Sequence, residues 1–354
     1  MDTFPTIAEI ARHCKVSTYT VSLALRNSTR VAASTRQRVQ KEAHELGYRP
    51  NPLINALMAS VRNRRNRPTG DVLGFIVSRE KAMHPGQLDH QARMFKGASK
   101  RAQEFGYRAE IIRLSSVAGR GNRLQQVLDA RGIHGVIIAP VSGHDFKINL
   151  DWSRLACVTI GYSFSEVPVH RVTHNHFRSM RMVLDNCDAR GWKRPGILLS
   201  QHALEAVDQG FLAGYLTGIY GRHHGIPVPP LLYADDTFSR QTLLDWMKKH
   251  RVDAVISLRH DTHDWLVAAG YKIGHDIGLI MLDCNETDEE ISGINQRQSD
   301  IGAAAIELLA NTMQNSEYGI PKLPRIVGLD GIWHEGRTLP VREKSPAQKH
   351  PKDS

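Results

Sequence analysis

Two hydrophobic rhythms divide this chain. In the first fifty residues the apolar positions recur three or four apart, as Ile7, Ile10 and Ala11, then Val21, Ala24 and Leu25, then Val39, Ala43 and Leu46. That spacing predicts three short helices, each turning one face to a shared core. From Val72 the apolar residues gather into short blocks bounded by turn formers: Val72–Val77, Ala109–Ile112, Gly135–Ile138 and Cys157–Ile160, then Gly196–Leu199, Ala254–Ser257 and Ile277–Met281. Between the first blocks lie helical stretches near Gln91–Phe105 and Arg123–Ala130, and the second series adds Arg178–Arg190, Phe211–Tyr220, Arg240–Lys249 and Asp300–Met313. Buried strands alternating with helices predict an α/β body with parallel sheets. Two similar series predict two lobes, with a ligand cleft between them at the carboxyl ends of the strands.

Local signals sharpen the helical head. Thr6-Ile7-Ala8-Glu9 is a capping box that starts the first helix at Thr6, and Ser17 is the expected N-cap of the second after a short turn through Cys14 and Lys15. Ser34-Thr35-Arg36-Gln37 reads as a second capping box for the third helix, which Gly47 ends. Three short helices with so tight a turn between the first two match the helix-turn-helix plan, although periodicity alone also describes a generic bundle. On the second helix Tyr19, Ser22, Leu23 and Arg26 fall opposite the core stripe, forming an outward face.

Beyond the head, Asn51 before Pro52 starts one more short helix to Met58, apolar on more than one side through Leu53, Ile54, Ala56 and Leu57. So short a helix is marginal alone and needs a partner to form. A basic linker, Arg62–Pro68, follows it, and Pro340–Ser354 is polar, aperiodic and expected to be a disordered tail. The expected division is therefore a head at 1–50, hinge helix and linker at 51–70, a two-lobed body at 71–340 and a tail at 341–354.

Charge changes the picture of the head. Of the formal net charge of +10, residues 1–70 carry twelve basic against four acidic side chains, a surplus of eight, so the body is nearly neutral. A basic module on a neutral body is built for a polyanion. The four cysteines are scattered without a Cys-x-x-Cys pair, which fits a reducing cytoplasm. No signal peptide and no membrane-length apolar segment is read in the chain.

Thr6-Ile7-Ala8-Glu9-Ile10-Ala11, Val16-Ser17, Thr20-Val21-Ser22, Thr35-Arg36, Val39 and Leu46-Gly47-Tyr48-Arg49-Pro50-Asn51-Pro52 together resemble the headpiece of the lactose-repressor (LacI/GalR) family of bacterial transcription factors. The body is similar more loosely. The resemblance implies a cytoplasmic repressor with a helix-turn-helix headpiece and a two-lobed, periplasmic-binding-protein-like effector domain. It further implies a homodimer on a pseudo-palindromic operator in double-stranded DNA, a small effector such as a carbohydrate, and no cofactor. By that resemblance Thr18, Tyr19 and Ser22 approach base edges or flanking phosphates, and Thr6, Ser17, Asn27 and Thr35 hold phosphates. Asn51 opens the hinge helix, whose Leu57 matches the residue wedged into a central minor-groove step. A sugar-binding receptor or an α/β enzyme of the same two-lobed plan is the alternative, but a receptor of that kind is expected to lack the basic head.

Two departures from the family pattern bear on specificity. Many relatives carry arginine where this chain has Leu23, and leucine can meet only an apolar feature such as a thymine methyl, or else pack against Tyr19 and touch no base. Relatives often have arginine just before Leu-Ala-Gly, whereas Phe211 precedes Leu212-Ala213-Gly214 here. In the cleft, Asp283 matches a family aspartate that hydrogen-bonds the effector, with a turn cap as the other reading. Arg79, Arg259, His260 and Asp261 lie at strand ends as candidate wall residues. His174-Asn175-His176, His223-His224 and His260-Asp261-Thr262-His263 invite a metal reading but lack ligand spacing, and Gly119-Arg120-Gly121 lacks the third glycine of a dinucleotide fingerprint. No metal and no catalytic apparatus is expected.

Overall fold

The computed structural model describes residues 5–25, 31–48, 71–78, 90–114, 122–141, 148–221, 227–234, 238–284 and 289–342. The expected hinge helix, the basic linker, Arg26, Asn27, Asn51, Leu57, Arg79, Gly119 to Gly121, His223, His224 and 343–354 of the tail lie outside the described residues.

The head contains α1 (Ile7–His13), α2 (Thr18–Leu25) and α3 (Ala33–Glu45). The first capping box forms as expected: the Glu9 N–H donates to Thr6 Oγ1 at 3.3 Å, and the Thr6 N–H donates to the Glu9 carboxylate at 2.6 Å. Ser17 caps α2, its Oγ accepting from the Thr20 N–H at 3.0 Å. The second expected capping box is absent. The N-cap of α3 is Ala32, which makes no side-chain cap, and Ser34 falls inside the first turn. Val31, drawn into the head core at 7% exposure, sets where the chain enters this helix. Ile10, Val21, Ala24 and Val39 are fully buried at the centre of the head. A His13–Glu42 pair at 2.9 Å and a Gln40 amide donated to the Ala24 carbonyl at 3.0 Å lash α3 to the other two helices.

The body begins with β1 (Val72–Val77), α4 (His90–Glu104), β2 (Arg108–Arg113), α5 (Arg123–Ala130), β3 (Gly135–Ile138), β4 (Ala156–Ile160) and β5 (His170–His174). It continues with α6 (His176–Ala189), β6 (Pro195–Ser200), α7 (Gln201–Ala206), α8 (Gly210–Tyr220), β7 (Leu231–Tyr233), α9 (Arg240–His250), β8 (Ala254–Ser257), α10 (Thr262–Ala268), β9 (Gly278–Met281) and β10 (Gly293–Asn295). The last elements are α11 (Gln298–Gln314), β11 (Ile326–Leu329) and β12 (Ile332–His334).

Two six-stranded sheets result, in the orders β11-β5-β4-β3-β1-β2 and β12-β10-β9-β8-β6-β7. The first is parallel throughout; in the second only β12 runs antiparallel, against β10. The chain crosses between lobes after β5, after β10 and after β11. The order of the chain predicts the helix near Asp300–Met313 in the second lobe, whereas the structure places it in the first: α11 packs Ile301, Ala305, Ile306 and Leu309 into the first lobe's core with Leu73 and Phe75. Its contact with α4 is backbone-close, since a Cβ on Gly97 would lie 1.8 Å from the Ser299 carbonyl oxygen. Gly214 and Gly218 let α8 press on Met180 and Leu184 of α6.

Five strands escape the hydrophobic rhythm. β5 reads His-Arg-Val-Thr-His, β7, β10 and β12 are short, and β11 is an exposed edge. At the end of the body Leu339 is fully buried, and Arg342, placed in the tail by sequence, lies over the Trp192 ring at 3.6 Å and pairs with Asp253 at 3.3 Å. Among the described residues no helix is long and apolar enough to cross a membrane.

Candidate nucleic-acid interface and ligand cleft

The head offers a surface of short polar side chains at helix starts. Lys15, at φ 50°, turns the chain sharply out of α1 so that α2 begins within two residues of the turn's end. Thr6, Ser17, Thr18 and Tyr19 are exposed, Tyr19 at 64%, while Ser22 and Thr35 are half-buried. Backbone N–H groups concentrated at a helix N-terminus favour an anion such as phosphate. The three helix starts are not equivalent. At α1 the Glu9 carboxylate already takes both the N–H and the hydroxyl of Thr6, at 2.6 and 3.1 Å, and those hydrogen bonds hold its pKa below the ordinary range. At α3, beside Thr35, the N-cap residue Ala32 makes no side-chain cap.

Leu23 does not sit cleanly on the outward face. It is half-buried and packs against the core formed by Ile10, Val21, Ala24 and Val39. A side chain needed for packing has less freedom to follow a base edge, so this position leans to the packing reading.

The cleft is built around Asp283, two residues past the end of β9 and 3% exposed. The Leu282 N–H donates to Ser257 at 2.9 Å and the Cys284 N–H to Ile294 at 2.7 Å, fixing the backbone on both sides of the aspartate. Two side chains from the opposite lobe reach it. Arg93 donates from Nη2 to Oδ2 at 2.9 Å, and His90 Nδ1 stands 2.8 Å from the same oxygen. Burial acts to raise the Asp283 pKa, but the charges and hydrogen bonds of His90 and Arg93 outweigh it and hold the carboxyl below its ordinary range. The pair therefore joins the lobes directly. The first turn of α4 is itself anchored, by Gln91 to the Pro140 carbonyl at 2.6 Å and by Ser299 to the Arg93 carbonyl at 3.2 Å.

Several buried polar atoms facing this region lack a protein partner among the described residues: Oδ1 of Asp283, Nε of Arg93, both ring nitrogens of His174, Oγ of Ser179 and Oε1 of Gln298. Gln298 donates to Gln296 at 3.2 Å, and Gln296 to the Leu282 carbonyl at 2.7 Å, so the chain of amides leads to the segment carrying Asp283. His174 is buried where the chain first changes lobes; burial lowers its pKa to about 4, against the field of Asp283. His176 beside it is lowered by burial to about 3. Their rings stand 5.0 Å apart, and His176 meets Phe211 at 4.8 Å. Phe211, fully buried, thus fills with an apolar ring the position where relatives often have arginine.

Of the wall residues expected from sequence, Asp283 lies in the cleft, and His260 makes no hydrogen bond with it but lies within its electrostatic field. His260, open to solvent on one side, has its pKa lowered by partial burial and lies within the fields of Asp283, His90 and Arg93. Arg259 and Asp261 instead pair with each other, Nε to Oδ1 at 2.9 Å, with the guanidinium 4.8 Å from the Trp265 ring centre and 5.2 Å from that of Phe238. Sequence reasoning missed His90, Arg93 and Gln298. The available signal was position: polar residues in the first turn of a crossover helix lie at the carboxyl edge of the sheet, where ligands bind. Among the described residues no three His, Cys, Asp or Glu side chains group as a metal site.

A basic helix-turn-helix head is joined here to a two-lobed α/β body with a buried carboxylate clamped across its cleft, the plan of a DNA-binding regulator. Residues 6–51 match the family of bacterial regulatory proteins described as the lacI family. Over 52 residues, 15% of each chain, the sequence is 48% identical to the HTH-type transcriptional repressor CytR of Escherichia coli (strain K12). Over 334 residues, 90% of this chain and 92% of the relative, it is 23% identical to the HTH-type transcriptional regulator PtxS of Pseudomonas plecoglossicida. The fold is similar to that of the transcriptional regulator CelR in complex with cellobiose, with a TM-score of 0.60 and 19% identity over 94% of this chain and 99% of that one. Residues 6–51 thus carry a lacI-family DNA-binding head, and the chain as a whole is similar in sequence and in fold to bacterial transcriptional regulators.

Proposed function

We propose that this protein is a cytoplasmic repressor rather than an enzyme, acting as a homodimer on a pseudo-palindromic operator, with affinity set by a carbohydrate-type ligand in the cleft. The observation that carries the reading is the pairing of Asp283 with Arg93 and His90 across the lobes. A ligand that competes for these groups changes how the lobes close, and differential affinity for two lobe arrangements is what a ligand needs to shift DNA binding. The complex of CelR with cellobiose supports a saccharide as the ligand class. In the head, Thr18, Tyr19 and Ser22 face base edges, with Thr6, Ser17, Asn27 and Thr35 at phosphates. Asn51 and Leu57 act in the hinge, between a head at 1–50 and a body at 71–340.

Selection of binding sites from a random duplex library with the full-length protein tests the reading. The expected product is an inverted repeat, bound with an affinity that falls steeply as salt rises because phosphate contacts release counterions. Failure to enrich any sequence, or enrichment of one half-site alone, would overturn the dimeric operator. The half-packed Leu23 adds a finer expectation: Leu23→Arg should change preference at one base pair in each half-site, whereas Leu23→Met should leave the motif unaltered.

A further inference from the structure

The charge inventory of the cleft goes one step further than a generic saccharide. Among the described residues two carboxylates near it are already committed: Asp261 to Arg259 at 2.9 Å, and Asp330 to Arg178 at 3.1 Å and to the Asn175 amide at 2.9 Å. Asp283, by contrast, faces its partners from across the cleft. Arg93 and His90 stand against its Oδ2, and His260 and His174 lie within its field.

Two complementary shortfalls remain at this pair. Among the described residues Oδ1 of Asp283 is a buried acceptor without a donor, on a residue 3% exposed. Among the same residues Nε of Arg93 is a buried donor without an acceptor, on the planar guanidinium whose Nη2 holds Oδ2. A hydroxyl satisfies Oδ1. For Nε the better guest is an anion, because a charge-assisted hydrogen bond to a guanidinium fork is shorter and about twice as strong as a neutral one.

A guest that competes for Oδ2 sharpens the argument. With a neutral guest, drawing Asp283 away strands a guanidinium in a buried setting, which is costly. A guest bringing its own negative group replaces the counter-ion it displaces. The opposite lobe offers no guanidinium before Leu212-Ala213-Gly214, where Phe211 is buried against His176, and among the described residues Arg93 stands at Asp283 ready to meet such a group.

We infer that the ligand is a polyhydroxylated acid, its anionic group held by Arg93 with His90 and its hydroxyls by Asp283. This rests on the cleft being the effector site. The shared chemistry is an anion beside vicinal hydroxyls, which a carboxylate or a phosphate supplies.

Calorimetric titration of the full-length protein tests it with three arms: D-glucuronate and D-galacturonate, D-glucose 6-phosphate and D-galactose 6-phosphate, and the parent D-glucose and D-galactose. The expected result is at least one acid or phosphate bound tenfold or more tighter than its parent hexose. Arg93→Gln should erase that preference, and Arg93→Lys, which keeps the charge without the fork, should retain part of it. Each variant's thermal unfolding is followed to separate lost binding from lost fold, and unchanged unfolding with an intact preference in Arg93→Gln would overturn the assignment. A parent hexose bound as tightly as its acid and phosphate would overturn the acid while leaving a saccharide cleft standing. No binding in any arm would overturn both.

Discussion

The head and the cleft satisfy their polar groups in opposite ways. In the head the decisive hydrogen bonds close within three residues, Thr6 with Glu9 and Ser17 with Thr20. In the cleft they span the chain: Arg93 and Asp283 are 190 positions apart, and Ser299 reaches back 206 positions to the Arg93 carbonyl. The head leaves its working groups on the surface, whereas the cleft keeps Asp283, His174 and Gln298 more than nine-tenths buried with atoms still unpartnered. A surface that reads a polyanion works in water and tolerates local construction. A site that discriminates small molecules excludes water and concentrates cost in a few buried groups.

The contrast can be broken hardest with acid. His174 and His176 have folded pKa values lowered to about 4 and about 3, so the native body resists their protonation while the unfolded chain accepts it near 6.5. Stability is therefore fully present above pH 6.5 and is lost as pH falls, by roughly 5 kcal/mol at pH 4.5 for the two together. The head has no such buried imidazole; its His13–Glu42 pair is exposed and worth little. Circular dichroism melts at descending pH should show the body's transition collapsing first, and equal loss in both would break the comparison.

Removing the clamp comes next. Asp283→Ala leaves Arg93 and His90 without their counter-ion and should cost the body about 3–5 kcal/mol, read from urea unfolding, and abolish ligand-dependent changes in operator affinity. An unaltered ligand response would remove Asp283 from the site. Gly331→Ala is gentler. A Cβ there would lie 2.7 Å from the His174 ring and 2.9 Å from Ser179 Oγ, so about 1–3 kcal/mol of overpacking is expected in the last crossover. Ser17→Ala should have the smallest effect, about 1 kcal/mol from the cap of α2, visible in the head's transition alone.

Much of the architecture is legible in the chain because its signals are local. Gly135–Ile138 and Arg123–Ala130 appear where apolar periodicity puts them, and the Thr6–Glu9 box forms as written. The failures share a cause in tertiary context. Ser34 does not cap α3 because burial of Val31 decides the entry of the helix. β5 carries two histidines and an arginine and becomes a strand because β4 and β11 pair with both its sides. Asp283 was legible through its likeness to a family position. Arg93 was not, because a charged residue on an amphipathic helix looks solvated until a distant carboxylate meets it. Arg259 and Asp261 show the converse, two strand-end charges that spend themselves on each other.

The return of α11 to the first lobe sets a timetable for synthesis. The first lobe needs residues up to Leu329 to complete its core and sheet, and the second closes only with β12 and the buried Leu339. Domains generally fold as units from the N-terminus while the chain is being made. Here the ribosome must release nearly the whole body before either lobe can finish, whereas every segment of the head has emerged within the first fifty residues. A nascent chain therefore holds a finished head well before either lobe is complete, and a message truncated upstream of Gln298 would encode the head with neither lobe finished.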